Sequence, residues 1–161
     1  ELSGGSVGID AENVSGGPLQ ISSNLIQNSQ VGTWLKPDTN PYKQNTLIAY
    51  RQNTIKGAHT GLYITDMYWQ ATVPVFVTHE KDGSLVWKEV TLYEFNFVDV
   101  DSAVVLRDVN DSLTIEVFDS YFGTTDLEAI GNLITDNADD YTLGTVLVVN
   151  PVSSLIDISA D

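Results

Sequence analysis

ATVPVFVTHEKDGSLVWKEVTLYEFNFV, residues 71–98, carries the strongest local pattern in the chain. Ala71 to His79 and Ser84 to Val98 are rich in β-branched and aromatic residues. Between them, Glu80-Lys81-Asp82-Gly83 contains the Asp-Gly pair that supplies the positive φ of a hairpin turn. On the return run Leu85, Trp87, Thr91, Tyr93, Phe95 and Phe97 fall on one face, and Val86, Lys88, Val90, Glu94 and Asn96 on the other. Leu92 breaks the alternation. The pattern predicts a long antiparallel hairpin with its aromatic face in the core. Val73, Val75 and Val77 pack beside that face, and Pro74 places the outgoing strand at an edge or bulge.

Working outward, the same rhythm recurs. Strands are expected around residues 18–26, 31–35, 46–51 and 61–66, then at Leu113, Ile115 and Val117, and at residues 142–149 and 155–158. The run 142–149 is apolar enough to be a central strand. One helix fits residues 126–136, where Thr125 and Glu128 make a capping-box pattern and Leu127, Ile130, Leu133 and Ile134 form one stripe. Gly4, Gly5, Gly8, Gly16, Gly17 and Pro18 break up the start of the chain. Residues 1–17 therefore read as an extended arm, followed by a single domain over 18–161. With no βαβ units and no internal repeat visible, the expected fold is all-β, a two-sheet β-sandwich or jelly roll with one short helix.

Charge is placed unevenly along the chain. Its 161 residues include 22 Asp and Glu against seven Lys and Arg, with a pI near 4.1. Residues 89–161 hold 15 of the acidic residues and a single basic one, Arg107, whereas residues 1–88 are nearly balanced. Scattered cations argue against nucleic acid and against anionic membranes. No apolar run is long enough for a membrane-spanning helix, so membrane insertion is not expected. The absence of cysteine removes disulfides, thiolate zinc and cysteine nucleophiles. An acidic, cysteine-free β protein is expected outside the cell, at a cell surface or in a virion, any export signal having been removed.

The carboxylates suggest calcium, which takes six to eight oxygen ligands. Candidate ligands are Asp99, Asp101, Asp108, Asn110, Asp111, Asp119 and Asp126, with Asp136, Asp139 and Asp140 in a further oxygen-rich group. The competing reading is that Asp and Asn simply form turns, so the cofactor expectation is none, or calcium. An EF-hand alignment starting at Asp108 fails where Leu113 replaces the required Gly. Phe95-Asn96-Phe97, Leu113 to Asp119, Asp126 and Ile130-Gly131 together resemble the late strands and calcium loop of a C2 domain, over roughly a quarter of the chain. Tyr121 stands where that family has a second calcium-binding Asp and the first half does not match, so the chain is not assigned to the family.

Catalytic patterns are weaker. His59 and His79 lack a nucleophile or metal-ligand partner at a useful spacing, and no Gly-rich phosphate loop is present. Adjacent Tyr68 and Trp69 must point to opposite faces of a strand, which leaves one ring to serve as a glycan platform. The leading expectation is a non-enzymatic structural or assembly protein that associates with itself or another surface protein through β edges and the N-terminal arm. The alternative is a calcium-dependent carbohydrate-binding or adhesion module of a secreted protein.

Overall fold

A computed structural model describes residues 2–14, 19–37, 48–66, 77–79, 85–87 and 91–158. The chain winds in successive coils. The first holds β1 (Leu2–Val14) and β2 (Leu19–Ser22), and the second β3 (Leu25–Pro37) and β4 (Ile48–Arg51). The third holds β5 (Thr54–Lys56), β6 (Thr60–Thr65), β7 (Val77–His79), β8 (Leu85–Trp87) and β9 (Thr91–Tyr93). The fourth is β10 (Asn96–Val98), β11 (Ser102–Arg107) and β12 (Thr114–Phe118). The fifth carries α1 (Leu127–Gly131), β13 (Ile134–Thr135) and β14 (Thr145–Val149).

Apart from β7 and β8, the strands pair parallel with their counterparts in adjacent coils. Ile26 pairs with Ile55 and Ile55 with Phe97, Leu35 with Ile64 and Ile64 with Leu106, and Leu92 with Val117 and Val117 with Val148. The seven-stranded sheet runs β10-β5-β3-β6-β11-β13, with β1 on β3. It curls, because β5 and β6 pair with successive parts of the single long β3. The five-stranded sheet β14-β12-β9-β4-β2 closes the third side. The result is a three-faced parallel β-solenoid, not the expected β-sandwich or jelly roll, in which neighbouring strands would run antiparallel.

The expected hairpin explains the error. Val77↔Trp87 and His79↔Leu85 do pair antiparallel, but the return run is three strands, not one. β9 and β10 belong to different sheets, with Glu94-Phe95 turning between them and Glu94 at φ 56°. That turn reverses the parity of the side chains. Leu92, the apparent exception, is fully buried, whereas Tyr93 is 42% exposed and stacks on Phe118 at 5.4 Å. Phe95 and Phe97 are core residues as expected. Pro74 lies outside the described residues. β14 is an edge strand of its sheet, not central, and residues 155–158 form no strand. The C2-like stretch occupies parallel coils.

The corner between the second and first sheets is the same two-residue turn five times: Ser23-Asn24, Gln52-Asn53, Glu94-Phe95, Asp119-Ser120 and Asn150-Pro151. The leading residue has φ between 47° and 57° each time. Buried Asn53 joins two coils there, its Oδ1 accepting from Asn24 Nδ2 at 3.0 Å and its Nδ2 donating to the Ile21 and Arg51 carbonyls. Where Phe95 replaces Asn, Ser120 Oγ accepts from the Phe95 N–H.

The interior is filled by columns of like residues. Ile26, Ile55, Phe97 and Phe122 form one, its last two rings stacked at 5.1 Å. Gly8, Gly32, Gly61 and Ala103 form another beside it. A Cβ on Gly32 would stand 2.5 Å from Ile55 Cγ2 and 2.6 Å from the Gly61 carbonyl, so only glycine lets these coils approach. The helix is shorter than expected. Asp126, not Thr125, caps it by accepting from the Glu128 N–H, and Ile134 leaves for the sheet.

Gly32→Ala is expected to cost about 1–3 kcal/mol, read from urea unfolding. Gly131→Ala, on an open helix surface, should change stability by less than about 0.5 kcal/mol. The Tyr50 hydroxyl is buried without a partner among the described residues. Burial raises the phenol above its ordinary value, with the Asp10 carboxylate adding to the shift. A raised folded-state value means that this contribution is complete below the unfolded phenol's pKa of about 10 and is lost as pH rises above it. Tyr50→Phe is therefore expected to be neutral or stabilising by about 1 kcal/mol at pH 7. It should also flatten the alkaline loss of stability in melts taken across that range.

Candidate functional site

The three corners are not equivalent. Turns after the five-stranded sheet have two residues, and Gly57–His59 and Asp99–Asp101 cross the next corner with three. At the third corner, leading from the second face to the five-stranded sheet, the last two connections are 108–113 and 136–144. Excursions that vary from coil to coil on one edge of a solenoid are where such folds build binding surfaces.

At this corner the last two described connections part to form a groove of about 440 Å³, lined by Asp108, Asn110, Asp111, Tyr141 and Thr142. Val109 and Leu143 also line it, and both are buried. Asp108 stands at φ 54° where the chain leaves β11, 3.7 Å from Arg107 Nε. Asn110 Oδ1 accepts from the Ser112 N–H at 2.9 Å and from its hydroxyl, closing an Asx turn. Asp111 is exposed and has no hydrogen-bond or ion-pair partner among the described residues.

The opposite wall is braced from behind. Buried Asp136 accepts from the Val146 N–H at 2.6 Å and from the Ala138 N–H at 2.9 Å. Asn137 Nδ2 donates to the Tyr141 and Leu143 carbonyls. Asp140 accepts from the Thr142 N–H and, at 2.8 Å, from its hydroxyl, and these bonds lower its carboxyl below the ordinary value. Gly144 seals the wall to the floor, because a Cβ there would meet the Leu113 carbonyl at 2.8 Å. Tyr141 is left 83% exposed on this rigid support.

Of the seven carboxylate and amide residues expected from sequence, the groove unites Asp108, Asn110 and Asp111. The others stand apart. Asp99 is the left-handed residue of the three-residue corner, and Asp101 accepts from His59 Nδ1 at 2.6 Å. Asp119 leads a two-residue turn and Asp126 caps α1. Among the described residues no group of three or more His, Asp or Glu is placed to hold a metal. Tyr68 and Trp69 lie outside the described residues. The sequence reading missed Tyr141 and Thr142. Their signal was an aromatic inside the turn-forming run Asp139-Asp140-Tyr141-Thr142, where no strand could bury it.

No protein-family model, curated protein or solved structure matches the chain. Among the described residues, no helix is long and apolar enough to cross a membrane.

Asp136→Ala is expected to cost about 1–3 kcal/mol through its unpaired buried amides, with Asp136→Asn costing less. Urea unfolding reads the loss, and the Val146 amide resonance reports the broken bond.

Proposed function

We propose that this chain is a non-enzymatic structural module of an extracellular, cell-surface or virion assembly. In this reading it joins a second copy of itself through the free side of β1. The carrying observation is the difference between the ends of the solenoid. β1 offers 13 residues of backbone, paired among the described residues only with β3. At the far end the exposed edge is broken into shorter pieces, the two residues of β13, the five of β14 and a single bridge at Val152.

A row of unpaired N–H and C=O groups is a template for another strand, and stacked-coil proteins need their ends covered. Gly4, Gly5 and Ser6 are exposed and small, so no side chain obstructs that approach. Farther along, Glu12 is 3.3 Å from Lys36 Nζ, which also holds Asp66 at 3.2 Å. Those carboxylates raise the Lys36 pKa, the Asp66 hydrogen bond most. Described acidic side chains sit mainly in turns and caps, which favours a structural over a catalytic reading. A second reading, glycan binding, is favoured by the exposed tyrosine beside the groove carboxylates.

Size-exclusion chromatography with light scattering on the full chain, in calcium and in chelator, should show a dimer or larger species. Hydrogen exchange should then show protection of the β1 amides that point away from β3. A monomer at every concentration would overturn the reading. So would an oligomer whose outward β1 amides exchange freely.

A further inference from the structure

We infer that the groove between the Asp108–Asp111 turn and the Tyr141–Leu143 loop binds a neutral oligosaccharide. The inference is independent of association through β1, which is a different edge of the molecule.

Three features converge on this ligand class. The first is Tyr141. An aromatic ring normally buries much of its area, yet this one is 83% exposed. It also stands on a loop held by the Asn137 side chain and by the Asp140–Thr142 bonds. Among the described residues, no aromatic partner or hydrogen bond engages the ring. A flat apolar face fixed at a groove wall suits the C–H face of a pyranose ring, and little conformational entropy is lost when it is covered.

The second is the hydrogen-bonding set. Asp108 and Asp111 present carboxylate oxygens, which only accept. The Asn110 amide nitrogen makes no bond among the described residues and can donate. Thr142 gives its proton to Asp140, so its hydroxyl oxygen can serve only as an acceptor. A surface of mostly acceptors with one donor selects a ligand dense in O–H groups.

The third is charge and size. Asp139 and Asp140 lie beside the groove, and the nearby cation, Arg107, is engaged by Asp108 and by a hydrogen bond to Tyr63 that raises its pKa. An anionic glycan would meet net repulsion. With no group of three carboxylates placed for a metal among the described residues, the acceptors are left for hydroxyls. The groove's roughly 440 Å³ falls within the range of about 300–1,000 Å³ typical of small-ligand sites.

The test is affinity electrophoresis and calorimetry against soluble neutral glucan, mannan, galactan and xylan, with alginate and oligolysine as charged comparisons. At least one neutral polymer should bind. Tyr141→Ala should weaken that binding about tenfold, Tyr141→Trp should retain it, and the double variant Asp108→Asn with Asp111→Asn should weaken it. Because the ring is exposed, Tyr141→Ala should melt with the parent chain. No binding to any neutral polymer would overturn the inference. Neutral-polymer binding that Tyr141→Ala leaves unchanged would do the same, as would binding to alginate or oligolysine alone. Light scattering on the same samples reports association separately, so failure of one reading leaves the other standing.

Discussion

The architecture depends on a turn that costs energy. Ser23, Gln52, Glu94, Asp119 and Asn150 each adopt a left-handed backbone at the same corner of successive coils. For an L-residue that conformation costs roughly 1 kcal/mol or more. It bends the chain within two residues, so the next strand starts where its counterpart started one coil earlier. Parallel pairing follows: Thr54 N–H reaches the Asn24 carbonyl at 2.8 Å, and Asn96 N–H reaches that of Asn53 at 2.9 Å. The inward columns are offset by this expense and repay it through burial, with Ile55, Leu62, Ile64 and Leu92 excluded from solvent.

Left-handed residues at all three corners account for part of the acidity. Asp66, Asp99, Asp108 and Asp119 are all left-handed corner residues, a conformation that Asp and Asn tolerate better than most side chains. Corners project outward, where a carboxylate keeps its hydration. Two of these stacked positions, Asp66 and Asp108, sit among Lys36 and Arg107, and these two cations offset repulsion where the coils bring the carboxylates together.

Conserving the turn at one corner frees another. The third corner carries described connections of unequal length, 108–113 and 136–144, without disturbing the register of the coils. The coil with the longer connection still brings its strands to their partners, because loop closure grows costly only slowly with length. The groove and Tyr141 occupy this permissive edge, whereas the free side of β1 lies at the end of the stack. A binding face and an assembly face would thus draw on separate parts of one scaffold.

Local chemistry was readable from the residues themselves. The β-rich runs, the short helix around Ile130, the burial of Phe95 and Phe97, and the grouping of Asp108, Asn110 and Asp111 could all be found without the fold. A repeat was also present, though hidden: Ser23-Asn24-Leu25-Ile26 and Gln52-Asn53-Thr54-Ile55 share a corner, and Gly8, Gly32 and Gly61 a column. Spacings between coils of 24 residues, as from Leu2 to Ile26, and of 42, as from Ile55 to Phe97, concealed it. The sequence by itself determined that most of the chain extends, that a short helix forms around Ile130 and that Phe95 and Phe97 avoid water, because these preferences act within a few residues. Only the tertiary structure decided that the strands run parallel, that Tyr93 faces outward and that Tyr141 meets Asp108. Alternating side chains satisfy parallel and antiparallel pairing equally well, and the choice rests on where a distant stretch of chain returns.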